Sequence, residues 1–118
     1  MNWFVVFVGG GVGSVARYAL SIMLNGRGTI VANVTGCFLI GLLGALSSRM
    51  GWGESTRLML TVGLCGGFTT FSTFSSECLS FIKDGNWLAA AFYIAASVVL
   101  GIVAVFIGWW IGAASSRG

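Results

Sequence analysis

The sequence predicts an all-α integral membrane protein of four transmembrane helices, the third of them broken. Three observations predict it. Hydrophobic residues make up 57% of the 118 and charged residues only 8%, whereas a soluble domain carries about a quarter charged residues. Four apolar stretches, at about 3–24, 29–48, 55–82 and 87–112, each reach the roughly 20 residues needed to cross about 30 Å of hydrocarbon. The third stretch carries a dense polar run at membrane depth, residues 66–77 reading GGFTTFSTFSSE. Short connections join the stretches and leave no length for a soluble domain, so the chain reads as a single membrane domain over 1–118. In lipid the backbone must satisfy its own polar groups, which makes each stretch a helix.

The first stretch opens with a decoy. Gly11-x-Gly13-x-x-Ala16 after an apolar run imitates a dinucleotide fingerprint. The acid expected about 20 residues onward would fall near Val31, where none stands. Close helix packing explains the glycines better. Gly9 with Gly13, Gly63 with Gly67, and Gly108 with Gly112 are small-xxx-small pairs that let helix backbones approach in lipid. Ser14-Val15-Ala16 resembles a signal-peptide cleavage site, but no positive side chain precedes the apolar run, and the stretch is expected to remain as a span. Arg17 stands about two turns inside the end of this stretch. It can snorkel to the interface, or lend positive potential to an aqueous vestibule.

The second stretch carries Asn33, whose amide must find a partner in lipid, either as glue between helices or in a pore. The third is the anomaly. Seven of residues 66–77 bear a hydroxyl or a carboxyl. The adjacent Gly66 and Gly67 favour an interruption of the helix, since glycine tolerates strained dihedrals. Non-helical backbone at this depth survives only inside protein or beside water, and its freed carbonyls can hold a cation. Downstream, Phe71 and Phe74 share a helical face, and Thr70, Thr73 and Glu77 form a polar stripe beside it. Hydroxyls can bond back to their own helix at little cost, but a cluster this dense argues for a functional lining. Glu77 is the one acid well inside a span, a functional candidate by default. In the fourth stretch Tyr93 and Ser97 are four apart on one face, where packing and function remain equally open.

Cys37, Cys65 and Cys78 are odd in number, show no metal-ligand spacing and have no histidine to complete a zinc site. They read as small packing residues. Trp3, Trp52, Trp87, Trp109 and Trp110 stand near span ends, where amphipathic rings sit at headgroup level. The net charge of +3 comes from too few residues to form a nucleic-acid footprint.

An even number of spans puts both termini on one side with Arg49, Arg57 and Arg117; the other side carries Arg27, Lys83 and, if it reaches outward, Arg17. The positive-inside rule needs an asymmetry, and there is almost none. Either subtler features set one orientation, or the chain inserts both ways and pairs with an inverted copy.

At GGFTTFSTFSSE the sequence resembles the third-helix signature of the Fluc family of bacterial fluoride channels, also called CrcB. Gly28-Thr29 and Val31-Ala32-Asn33 resemble the start of that family's second helix, and the glycine-rich first helix leading to Arg17 and the four-span pattern match as well. The resemblance implies an antiparallel, dual-topology homodimer in the bacterial inner or plasma membrane, with two fluoride pores along the dimer interface. It implies that the carbonyls of Gly66 and Thr69 from both copies hold one structural, non-transported sodium ion. Phe71 and Phe74 would meet fluoride with their ring edges and Asn33 would donate hydrogen bonds. Thr70, Thr73, Glu77 and Ser97 would lie on or near a polar track, Tyr93 would be a pore tyrosine and Arg17 a vestibule arginine. The function implied is passive fluoride export that lowers fluoride toxicity, with no enzymatic step. Two other classes compete. A small proton-coupled multidrug exporter needs a carboxylate in its first helix, and this one has none. A non-transporting membrane assembly protein leaves the hydroxyl stripe without purpose.

Overall fold

A computed structural model describes residues 2–24 and 28–114. The segment with Arg27, and Arg117 near the C-terminus, lie outside the described residues. Within them, helix α1 covers Asn2–Met23, α2 Gly28–Met50 and α6 Trp87–Ala114. Between α2 and α6 the third span, Glu54–Lys83, is composite. It runs as α3 (Glu54–Leu58), a π-helical segment (Met59–Cys65), α4 (Gly66–Phe68) and α5 (Phe71–Lys83). Among the described residues, four helical segments are thus long and apolar enough to cross a membrane. The long axis of the chain, 50 Å, exceeds the roughly 40–45 Å of a bilayer with its headgroups.

The turns have local chemical causes. After α5, Gly85 adopts φ +76°, its N–H donates to Ile82 (2.9 Å) and the Asn86 N–H donates to Phe81 (2.9 Å). That is a Schellman ending, which glycine permits without a Cβ clash. The side chain of Asn86 then accepts from the Ala89 N–H (3.2 Å), capping the start of α6. Gly51 at φ +66° ends α2 in the same way, with the Trp52 N–H reaching Ser47 (3.2 Å).

Packing inverts the habit of a water-soluble domain. The buried apolar residues are small, Ala32, Ala45, Cys65, Cys78, Ala90 and Ala104, while Phe, Trp, Leu, Ile and Val project outward along every span. With lipid as solvent, helices associate through close backbone contact rather than burial of large side chains. Two pairings result. Helix α1 lies on the π-helical segment and α4, and α2 lies on α6. A Cβ at Gly13 would collide with the Leu64 carbonyl and the Phe68 amide, and one at Gly67 with the backbone of Gly10. Across the other seam, a Cβ at Gly108 would strike the Phe38 carbonyl and one at Gly41 the Val105 carbonyl.

The third span changes period before it changes direction. In the π-helical segment the Gly66 N–H reaches back to the Thr61 carbonyl, five residues earlier. Thr61 also donates its hydroxyl to the Arg57 carbonyl (2.6 Å). Gly66 itself is helical (φ −62°, ψ −40°), whereas Thr69 (φ −86°, ψ 156°) and Thr70 (φ −148°, ψ 121°) are extended. The departure from helical backbone therefore falls at Thr69 and Thr70, within the 66–70 interval where the sequence places the interruption and just past the glycine pair.

Candidate functional site

What holds Thr70 extended is Asn33. The Asn33 amide donates to the Thr70 carbonyl (3.0 Å), and its oxygen accepts from the Thr70 N–H (2.7 Å). This reciprocal pair satisfies both backbone groups of a residue that has left the helix, as buried backbone requires. The Thr70 hydroxyl then caps α5 by accepting from the Thr73 N–H (3.2 Å), and it also donates to the Thr73 hydroxyl (3.2 Å). Thr69 is tethered at the end of α4, its N–H (3.0 Å) and hydroxyl (3.1 Å) both on the Cys65 carbonyl.

These bonds divert two donors. In an unbroken α-helix the Thr70 N–H would serve the Gly66 carbonyl and the Thr73 N–H the Thr69 carbonyl. Here the first serves Asn33 and the second the Thr70 side chain. The carbonyls of Gly66 and Thr69 thus lose their helical donors. Among the described residues no cluster of three or more His, Cys, Asp or Glu could hold a metal.

Beside this segment lies an open groove of about 340 Å³ between α2, the third span and α6. Asn33, Gly66, Thr69, Thr70, Phe71, Phe74 and Ser97 line it, along with apolar neighbours and Cys37 and Cys65. Residues far apart in sequence therefore meet on one concave face. Phe71 is 78% exposed there, and its ring centroid is 6.0 Å from that of Phe74. The Ser97 hydroxyl is buried with no hydrogen-bond partner among the described residues.

Phe74 links the groove to a second cluster through its ring contact with Tyr93, centroids 5.2 Å apart. The Tyr93 hydroxyl donates to Glu77 Oε1 (2.5 Å), and the Thr29 hydroxyl donates to Glu77 Oε2 (3.0 Å). Phe81 packs edge-on against Tyr93, with centroids 5.7 Å apart. Both oxygens of Glu77 are thus engaged, from α6 and from α2, and Glu77 is not among the residues lining the groove. Thr29 has no role in the sequence reading. Its spacing is the signal that could have found it, for Thr29 and Asn33 are four apart on one face of α2.

Arg17 stands apart from the groove. Its Nε is 3.4 Å from the Gly67 carbonyl, across the seam between α1 and the third span.

Comparison with known proteins finds relatives along nearly the whole chain. Residues 4–109 match the family described as CrcB-like protein, Camphor Resistance (CrcB). A protein of Phocaeicola vulgatus named fluoride-specific ion channel FluC is 49% identical over 113 residues, covering 90% of this chain and 93% of its own. Proteins of the same name from Chloroflexus aurantiacus (43% identical; 94% of each chain) and Hydrogenobaculum sp. (41% identical; 95% of this chain and 98% of its own) are similar along nearly their whole length. The match runs through all four membrane-capable helices and the polar segment of the third, and the chain belongs to the CrcB-like family.

Proposed function

We propose that this chain is a fluoride-selective channel that lets fluoride leave the bacterial cytoplasm passively and so lowers its toxicity. The observation that carries the reading is the groove itself. It offers an amide, hydroxyls and two phenyl rings on one open, otherwise apolar face, in a chain whose relatives bear the name fluoride-specific ion channel. Fluoride is small and tightly hydrated, so it enters a dry passage only if close donors replace its water. Hydroxyls and an amide are such donors, and the positive edge of an aromatic ring adds a weaker attraction. Distributed, uncharged donors also let the ion leave, as conduction requires.

The groove is open on one side, which suits closure by a second copy. In this reading two inverted copies form a homodimer in the inner or plasma membrane, with two pores along their interface. Asn33, Thr70, Phe71, Phe74 and Ser97 face fluoride, while Thr73, Glu77 and Tyr93 flank its track and Arg17 lends positive potential toward the vestibule. Sodium fits between the copies. Gly66 and Thr69 offer carbonyls whose helical donors are engaged elsewhere, and a Cβ at Gly66 would meet nothing within 4 Å in the subunit, leaving room for a partner backbone. Unwound carbonyls are a recurrent sodium ligand in membrane proteins. Bound there, the ion would offset carbonyl–carbonyl repulsion at the interface.

Two measurements test this reading. Purified protein in liposomes is expected to release fluoride quickly and chloride not at all. Release driven only by a proton gradient with a cationic substrate would point to an exporter, and no flux at all to an assembly role. For orientation, single cysteines at Gly53 and at Asp84, both exposed at span ends, are placed in a background with the three native cysteines changed to alanine. Each is expected to react with an impermeant reagent from both sides of the membrane. Labelling of each from one side only would rule out dual insertion.

A further inference from the structure

One face of α2 organises the whole polar segment. Gly36 abuts the Thr69 methyl, Asn33 holds the Thr70 backbone, and one turn earlier Thr29 donates to Glu77 Oε2. Thr29 is only 8% exposed, so its hydroxyl is spent on that carboxylate. Glu77 stands seven residues after Thr70 and three after Phe74, both of which line the groove, yet its own side chain does not. Its carboxylate is drawn aside, between Thr29 and Tyr93.

We propose that Thr29 is a positioning residue for anion conduction: it keeps the Glu77 carboxylate turned away from the groove. A carboxylate is acceptor-only when ionised, so it offers fluoride no hydrogen bond and repels it through a medium of low dielectric. Tyr93 alone holds one oxygen and leaves the other seeking a donor. Thr73 and Thr70 carry hydroxyls four and seven residues earlier on the same helical face, and reaching them would swing the negative charge to the groove and occupy donors that the anion needs. With Thr29 in place, both oxygens are satisfied on the far side. Thr29 touches Glu77 rather than the permeating ion, so it acts through that residue.

The inference rests on the fluoride-channel reading, and the test separates the two. Thr29→Val keeps shape and volume but removes the donor. Fluoride flux is expected to fall about tenfold, the scale of losing one hydrogen bond to a charged group. Thr29→Ser is expected to recover most of the wild-type rate. In a Glu77→Ala background, Thr29→Val should change flux less than about twofold, since interacting sites are non-additive where independent ones are additive. If Thr29→Val does not elute as the wild-type species, Thr29→Ala takes its place. If Glu77→Ala does not conduct, the structure of the Thr29→Val protein decides: a carboxylate turned into the groove supports the role, and one still held at Tyr93 alone overturns it. Additive losses in the double variant, or equal losses in the valine and serine variants, also overturn it. A wild-type protein that releases no fluoride would instead sink the channel reading.

Discussion

Replacing Phe71 or Phe74 by isoleucine is expected to lower fluoride flux by about a hundredfold or more, the scale of removing one donor aimed at an anion in a dry site. Isoleucine keeps most of the apolar bulk and removes the electropositive ring edge. The two positions differ in how cleanly they report. Phe71 is largely exposed in the isolated subunit, so its replacement takes little from the subunit's own packing. Phe74 also packs on Tyr93, and isoleucine there forfeits a ring contact worth about 0.5–1.5 kcal/mol. The measurement is fluoride release from liposomes at matched protein content, with gel filtration to show that assembly survives. Normal conduction by both variants would remove the rings from the pathway.

That experiment bears on a feature that helical spacing alone exposes. Phe71 and Phe74 are three apart, and the structure brings their rings to one side. Features of this kind, local in sequence, are the legible ones. The spans follow from apolar length, and the glycine pairs foretell the seams because in lipid only small residues let backbones touch. Gly13 against Leu64 and Phe68, and Gly108 against Phe38, bear out the packing account of the glycines.

Features that depend on partners distant in sequence are not legible in the same way. Asn33 reads equally as helix glue or as a pore group, and it takes a structure to show its amide paired with the backbone of Thr70, 37 residues away. The same holds for Thr29 and Glu77, 48 residues apart. Nothing in composition says which of many hydroxyls meets the one carboxylate well inside a span. The sequence places the interruption near 66–70, and within that interval it falls at Thr69 and Thr70 rather than at the glycines themselves. Gly66 and Gly67 permit a break, but Asn33 decides where it falls, and Gly67 is instead needed for close contact with Gly10. The π-helical stretch before it leaves no trace in the apolar pattern, since a helix apolar on every side has no face whose drift could reveal a change of period.

Gly66→Val is expected to abolish fluoride flux while the subunit still inserts and folds, and exhaustive removal of sodium is expected to do the same to the wild type. The two results share one cause. A Cβ at Gly66 meets nothing within 4 Å in the chain itself, and the residue is helical, where valine ranks above glycine in propensity, so the substitution is expected to leave the isolated fold intact. On the proposed dimer, its damage comes from the space outside, where a second copy and a shared cation would sit. Thr69→Ser, by contrast, is expected to be nearly silent. Serine keeps the hydroxyl bond to Cys65 and the backbone carbonyl, and it gives up only the methyl that lies against Gly36. If the carbonyls of Gly66 and Thr69 hold sodium between two copies, the ion is structural: returning it to depleted liposomes restores fluoride flux, and labelled sodium does not cross with the anion. The measurement pairs fluoride release with sodium-22 uptake across a titration of residual sodium. Full flux in thoroughly sodium-free liposomes would overturn the static-cation account, as would sodium uptake in proportion to fluoride. A Gly66→Val protein that conducts normally would move the interface elsewhere on the subunit.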